Sequence, residues 1–153
     1  MIAPSSWPAP LPVIFDTNVL LSGIFFGGVP GRLLTAWQES RMQLVLSPDI
    51  LAEDYEAAAV LSTRYPAITG LDAILALVTQ TATVVDAPAL SYGVSADPED
   101  DKFLACAIAA RVPTIVSGDK HLLRLNGWAG LAIVTPRQLL ERYLETPKRE
   151  GDG

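Results

Sequence analysis

Apolar positions fall into short continuous runs, separated by longer stretches in which they recur every three or four residues. Val13-Ile14-Phe15, Leu44-Val45-Leu46, Thr114-Ile115-Val116 and Leu131-Ala132-Ile133-Val134 are the short runs, and Thr83-Val84-Val85 is strand-like. Each is predicted to be a strand buried on both faces. Between them, Asn18–Phe25 is predicted to start a helix, and Gly31–Glu39 places Leu33, Leu34 and Trp37 at helical spacing. Ser47-Pro48-Asp49 reads as a helix start, with Ser at the N-cap, Pro in the first turn and an acid beside the positive end of the helix dipole. That helix runs to about Leu61. Leu71–Gln80 is a further helix, Asp100–Arg111 sets Leu104, Ala105 and Ile108 on one face, and Thr135-Pro136 caps a last helix through about Leu144. Strands alternating with helices predict an α/β domain whose parallel sheet is covered on both faces. Ligands of such sheets sit beyond the carboxyl ends of the strands, so the residues that follow each strand carry the functional information.

The chain has 153 residues, the size of one domain. Met1–Pro12, with Pro4, Pro8, Pro10 and Pro12, reads as an extended lead-in, residues 13–145 as the domain, and 146–153 as a frayed charged tail. Half of the residues are hydrophobic and only 18% are charged, which excludes a disordered chain. No apolar run approaches the roughly 20 residues of a spanning helix, and the N-terminus has neither the basic nor the apolar region of a secretory signal. A cytoplasmic location without a membrane is expected. A single cysteine, Cys106, and a single histidine, His121, exclude a cysteine-based or multi-histidine metal site, so any metal must be held by oxygen. The net charge of −6 lacks the basic footprint of a sequence-reading DNA-binding module. It leaves room for an enzyme that meets nucleic acid through a bound cation, which inverts the local charge.

The acids that follow strands are the candidate chemistry. Asp16 ends the first strand, and Asp119 follows a later one after Ser117-Gly118. Asp100 and Asp101 open a helix, and Glu53 lies one turn inside another. Parallel topology brings such positions to one edge of a sheet. Clustered carboxylates repel one another unless a divalent cation neutralises them, and Mg²⁺ or Mn²⁺ prefers oxygen ligands. Such an ion activates water and stabilises charge on a phosphoryl oxygen. Each acid taken singly also has a plain structural reading. Asp16-Thr17-Asn18 is a good helix cap, the acids of Asp97-Pro98-Glu99-Asp100-Asp101 suit a helix start, Glu53 suits a helix surface and Gly118-Asp119 a turn.

In order along the chain, four blocks resemble the PIN domain, a nuclease family that includes the VapC-type toxins. They are Val13–Ser22 with Asp16-Thr17-Asn18, Ser47–Glu53, Asp97–Ala107, and Ile115–Leu123 with Ser117-Gly118-Asp119. The last two particularly resemble PIN-family toxin components. The resemblance implies a three-layer α/β/α sandwich around a parallel sheet of about four or five strands. It also implies a Mg²⁺- or Mn²⁺-dependent endoribonuclease acting on single-stranded RNA, the toxin of a toxin–antitoxin pair, with an antitoxin partner and a homodimer. By position, Asp16, Glu53, Asp101 and Asp119 match the family's acidic quartet, with Asp16, Asp101 and Asp119 as metal ligands and Asp100 reaching the metal from the side. Thr17, Asn18 and Ser117 match supporting polar positions.

Other residues are read as structural. Cys106 is a small core residue, Trp37 belongs to the Leu33-Leu34 stripe, and His121 has no sequence partner. Lys102, Lys120 and Arg124 flank the acids as solvated helix surface or as phosphate contacts. Two rival functions remain open at this level. A phosphatase of haloacid dehalogenase type needs a second Asp where this chain has Asn18. A non-catalytic acidic pocket for binding or signalling needs only that the carboxylates converge. The apolar stretches Leu20–Phe26 and Leu33–Trp37 are the expected dimer surface.

Overall fold

The computed structural model describes residues 10–66 and 71–144. Most of the expected lead-in and the charged tail therefore lie outside the described residues. Five strands form one sheet in the order β3-β2-β1-β4-β5: β1 (Leu11–Phe15), β2 (Met42–Leu46), β3 (Thr83–Val84), β4 (Thr114–Val116) and β5 (Ala132–Val134). Every pairing is parallel, with Val13 opposite Leu44 and Ile14 opposite Ile115. Helices α1 (Thr17–Phe26) and α2 (Gly28–Gln38) link β1 to β2, and α3 (Pro48–Arg64) and α4 (Leu71–Thr81) link β2 to β3. Then α5 (Asp101–Ala110) precedes β4, α6 (Lys120–Leu123) precedes β5, and α7 (Pro136–Leu139) runs on into a wider turn at Leu140–Leu144. The fold is a three-layer α/β/α sandwich, as the resemblance implied. Val13, Ile14, Ile115 and Val116 are buried because helices cover both faces of the sheet.

The first strand begins at Leu11, two residues earlier than the apolar run indicates, and takes in Pro12. Leu11 N–H donates to Arg41 O on the β2 side, so by alternation the Pro12 nitrogen points to the β4 side. Pairing with β4 starts only at Ile14, so the missing N–H breaks no ladder bond. The short helix α6 has no apolar periodicity to announce it, because it is a single turn capped by Asp119.

Four of the five strands, β1, β2, β4 and β5, hand the chain to a polar residue at the carboxyl edge. Asp16 caps α1, Ser47 caps α3 through its Oγ and Ile50 N–H, and Thr135 forms a reciprocal capping box with Gln138. The carboxyl edge is therefore lined with helix N-termini, whose unpaired N–H groups favour negative charge. The apolar residues offered as a dimer surface are mostly core: Leu20, Leu21, Phe25, Leu33, Leu34 and Trp37 are buried within the protomer. Of those stretches, Phe26 is the large apolar side chain left exposed, at 60%, with its ring edge-on to Tyr65. Among the described residues no single helix is long and apolar enough to cross a membrane. The bent pair α1–α2, which passes by composition, turns through 95° at Gly27 and packs on the sheet.

Candidate active site

Asp16 leaves β1 at the centre of the sheet, its backbone N–H bound to Val116 O of β4 at 3.0 Å. Its Oδ1 accepts Val19 N–H at 2.8 Å and its Oδ2 accepts the Ser117 hydroxyl. The capping role and the site role thus belong to one carboxylate, locked in orientation by two donors from opposite ends of the chain. Asp16 is only 4% exposed. Burial pushes its carboxyl above the ordinary range, the two hydrogen bonds hold it back, and the charges of Asp119 and Glu53 push it up further. Ser117 is wholly buried and its Oγ also accepts Asp119 N–H at 2.9 Å, so one hydroxyl links both strand-end acids. Asp119 in turn caps α6 through His121 N–H.

Glu53 reaches the same edge from α3. It accepts the Thr17 hydroxyl on Oε2 and the Lys102 ammonium on Oε1 at 2.5 Å. Lys102 also contacts Glu99 at 3.1 Å. Burial works against the lysine's charge, but its bonds to Glu53 and Glu99 outweigh that and raise its pKa.

The two acids at the start of α5 part company. Asp100 ends a 3₁₀ turn, Pro98–Asp100, and faces a cavity of about 240 Å³ lined by Asp16, Thr17, Asn18, Glu53, Ala57, Phe103 and Asp119. One of its carboxylate oxygens, Oδ2, is buried with no hydrogen-bond partner among the described residues. Burial, then the charges of Asp119, Asp97 and Asp16, push Asp100 up to about 6 against a smaller opposing effect of His121. Asp101 turns away from that cavity. Its Oδ1 and Oδ2 accept Ser95 N–H at 2.7 Å and Val94 N–H at 3.1 Å. The structure thus gathers Asp16, Glu53, Asp100 and Asp119 around one cavity and commits Asp101 to the loop beside it. Asp97 stays at the exposed start of the 3₁₀ turn.

Asp54 went unnoticed in the sequence. It is 2% exposed, one of its oxygens lacks a partner among the described residues, and its carboxyl is pushed up to about 7. Burial is the main cause; the Thr17 hydroxyl and Lys102 pull it down, while Glu53 and Asp16 push it up. The available signal was its place in the Ile50, Asp54, Ala58 stripe, the buried face of α3 at four-residue spacing. Cys106 is fully buried, its thiol pushed up to about 11 by burial, as befits a small core residue.

A family model of the PIN domain matches residues 12–121. The chain belongs to the PIN domain family. No curated protein matches it. The PIN domain is a metal-dependent nuclease fold, and PIN domains are generally hydrolases that act on nucleic acid with divalent ions. Among the described residues of this PIN domain, no three His, Cys, Asp or Glu side chains stand close enough to grip one ion together. The donor chemistry nonetheless fits a hard divalent cation. The polar side chains on the cavity all carry oxygen donors, Asp100 Oδ2 has no partner among the described residues, and Asp16 and Asp100 are both raised, by burial first and then by neighbouring acids. Mg²⁺ keeps several waters and takes only one or two carboxylates directly, so it does not require a closed protein cage.

Proposed function

We propose that this PIN domain is a Mg²⁺- or Mn²⁺-dependent endoribonuclease that cuts single-stranded RNA in the cytoplasm, as the toxin of a toxin–antitoxin pair. The observation that carries the reading is the meeting of Asp16, Glu53, Asp100 and Asp119 around one cavity at the carboxyl edge of the sheet. In this reading Asp16, Asp100 and Asp119 would share the ion, one or two of them directly and the rest through its waters, and Glu53 works at the rim. A bound divalent ion lowers the pKa of its water and offsets charge on the phosphoryl oxygens. The chain's own part is orientation. Ser117 and Val19 N–H fix Asp16, and Ser117 positions the Asp119 backbone. Thr17 and Lys102 hold the Glu53 carboxylate aimed at the cavity. Asn18 lines the cavity where a haloacid dehalogenase-type phosphatase needs a second acid, which supports phosphodiester over phosphomonoester chemistry.

A partner surface is proposed at the exposed Phe26 and Tyr65, in place of the buried stretches. A homodimer or an antitoxin would cover it, and sedimentation of the chain alone at micromolar concentration separates the two.

The test of the activity is incubation of a mixed RNA pool with Mg²⁺, Mn²⁺ or EDTA, with Asp119→Asn as control. Cleavage with either ion, lost in EDTA and in the variant, is expected. Equal cleavage by wild type and Asp119→Asn would overturn the assignment.

A further inference from the structure

A second cavity, of about 320 Å³, lies on the other side of the first turn of α5. Asp100 faces the acidic cavity while Asp101 and Lys102 line the second, so the two share that turn as a wall. Opposite it stand the start of α3 and the segment 87–93. That segment has no helix or strand of its own, and Asp101 ties down the residues just after it through Val94 and Ser95 N–H. The cavity is therefore a built feature of the fold, within the roughly 300–1,000 Å³ range of small-ligand sites.

Its lining offers three kinds of contact. Tyr92 is 67% exposed and presents an aromatic ring at the mouth. Asp49, in the first turn of α3, is an exposed carboxylate that accepts no hydrogen bond among the described residues. Ser47 Oγ accepts Ile50 N–H, which leaves its own proton to donate. At the shared wall, Lys102 places a positive charge between the two cavities, bound to Glu53.

We infer that this cavity receives one unpaired base of the RNA, stacked on Tyr92 and read on its N–H edge by Asp49. The inference rests on the RNA-cleaving reading above. Unpaired bases are recognised by stacking on aromatic rings and by hydrogen bonds to their edges. A carboxylate accepts two parallel N–H bonds. Guanine sets an imino and an amino N–H side by side and matches it best, whereas the other bases offer one donor position next to an acceptor. A base held here directs its own phosphodiester past Lys102 toward the acidic cavity.

The experiment uses the whole chain and labelled single-stranded oligoribonucleotides that differ at one position. Binding is read by fluorescence anisotropy in EDTA, and cleavage with Mg²⁺ or Mn²⁺. Tyr92→Ala should weaken single-strand binding about 5- to 100-fold. Tyr92→Phe should restore it, and duplex RNA should be indifferent to both. Asp49→Asn should erase the preference for guanine. A Tyr92→Ala chain that binds and cuts with the wild-type affinity and base profile overturns the inference and leaves the nuclease reading intact. Binding that depends on Tyr92, in a chain that cuts with neither ion, overturns the nuclease reading and keeps the base site.

Discussion

Asp100 and Asp101 are one backbone step apart and about 100° apart around the helix axis. That rotation sends one carboxylate into the acidic cavity and the other onto the backbone of the preceding loop. The resemblance to the family's register points to Asp101, because a register counted in residues carries no information about which way a helix start is turned. The turn is set by the 3₁₀ segment Pro98–Asp100, whose tighter winding ends just before α5 begins. Asp100→Asn should lower kcat about 100-fold or more with little change in RNA binding, the scale seen when one preorganised electrostatic group is removed. Asp101→Asn should instead raise KM by several-fold and leave kcat largely intact, since it loosens the loop. Steady-state kinetics on one oligonucleotide checks both. Asp54 makes a separate prediction. Its carboxyl is held near 7 in the fold against 3.8 unfolded, so the native state binds the proton more tightly. Its contribution to stability is therefore greatest below about pH 4 and is lost as pH rises toward 7. Asp54→Asn should flatten that slope and raise metal-free stability at pH 8, by up to about 4 kcal/mol, in urea titrations run across this range.

At the scale of elements, the apolar runs located all five strands, and the Ser47-Pro48-Asp49 start of α3 formed as the sequence indicates. What escaped was decided by tertiary contact. Pro12 joins β1 because β4 is too short to need its N–H, and the apolar face of α1 and α2 that suggested a partner is filled by their own packing. Among the acids, Asp16 and Asp119 were legible because one directly follows a strand and the other lies in the turn just after one, while the burial of Asp54 depends on what packs against α3. The close approach of α1 and α2 has its own signature. A methyl group added at Gly23 would lie 2.7 Å from the Leu34 side chain and 2.9 Å from Pro30 O. Leu34 is able to yield but the Pro30 backbone is not, so Gly23→Ala should destabilise the fold by about 1–3 kcal/mol, read as a lower urea midpoint at unchanged slope.

For the molecule as a whole, the carboxyls of Asp16 and Asp100 are raised by burial first and by neighbouring acids second, in a cavity whose charged lining is entirely acidic. Ions and protons compete for such groups. Added Mn²⁺ or Mg²⁺ should raise the melting temperature at pH 8 and have much less effect at pH 5, where Asp100, held near 6, is already protonated. Calorimetry with and without EDTA at the two values checks it, and an equal shift at both would show that the ion binds away from these acids.

The sheet order sets when the site comes into being. β1 lies between β2 and β4, and the Ser117 hydroxyl that orients Asp16 is 101 positions further along the chain. As a ribosome extends the chain, β1, β2 and β3 can pair while the other edge of β1 still waits for β4. Through that interval Asp16 lacks Ser117, and neither Asp100 nor Asp119 stands beside it. The acidic cavity is thus completed only by the late-arriving part of the chain, so under the proposed RNA-cleaving function the nascent protein stays harmless to the message that encodes it for most of its own synthesis. The cost is a strand edge left open meanwhile, a template for pairing with another chain. A fragment ending before Thr114 should therefore be inert toward RNA and prone to self-association.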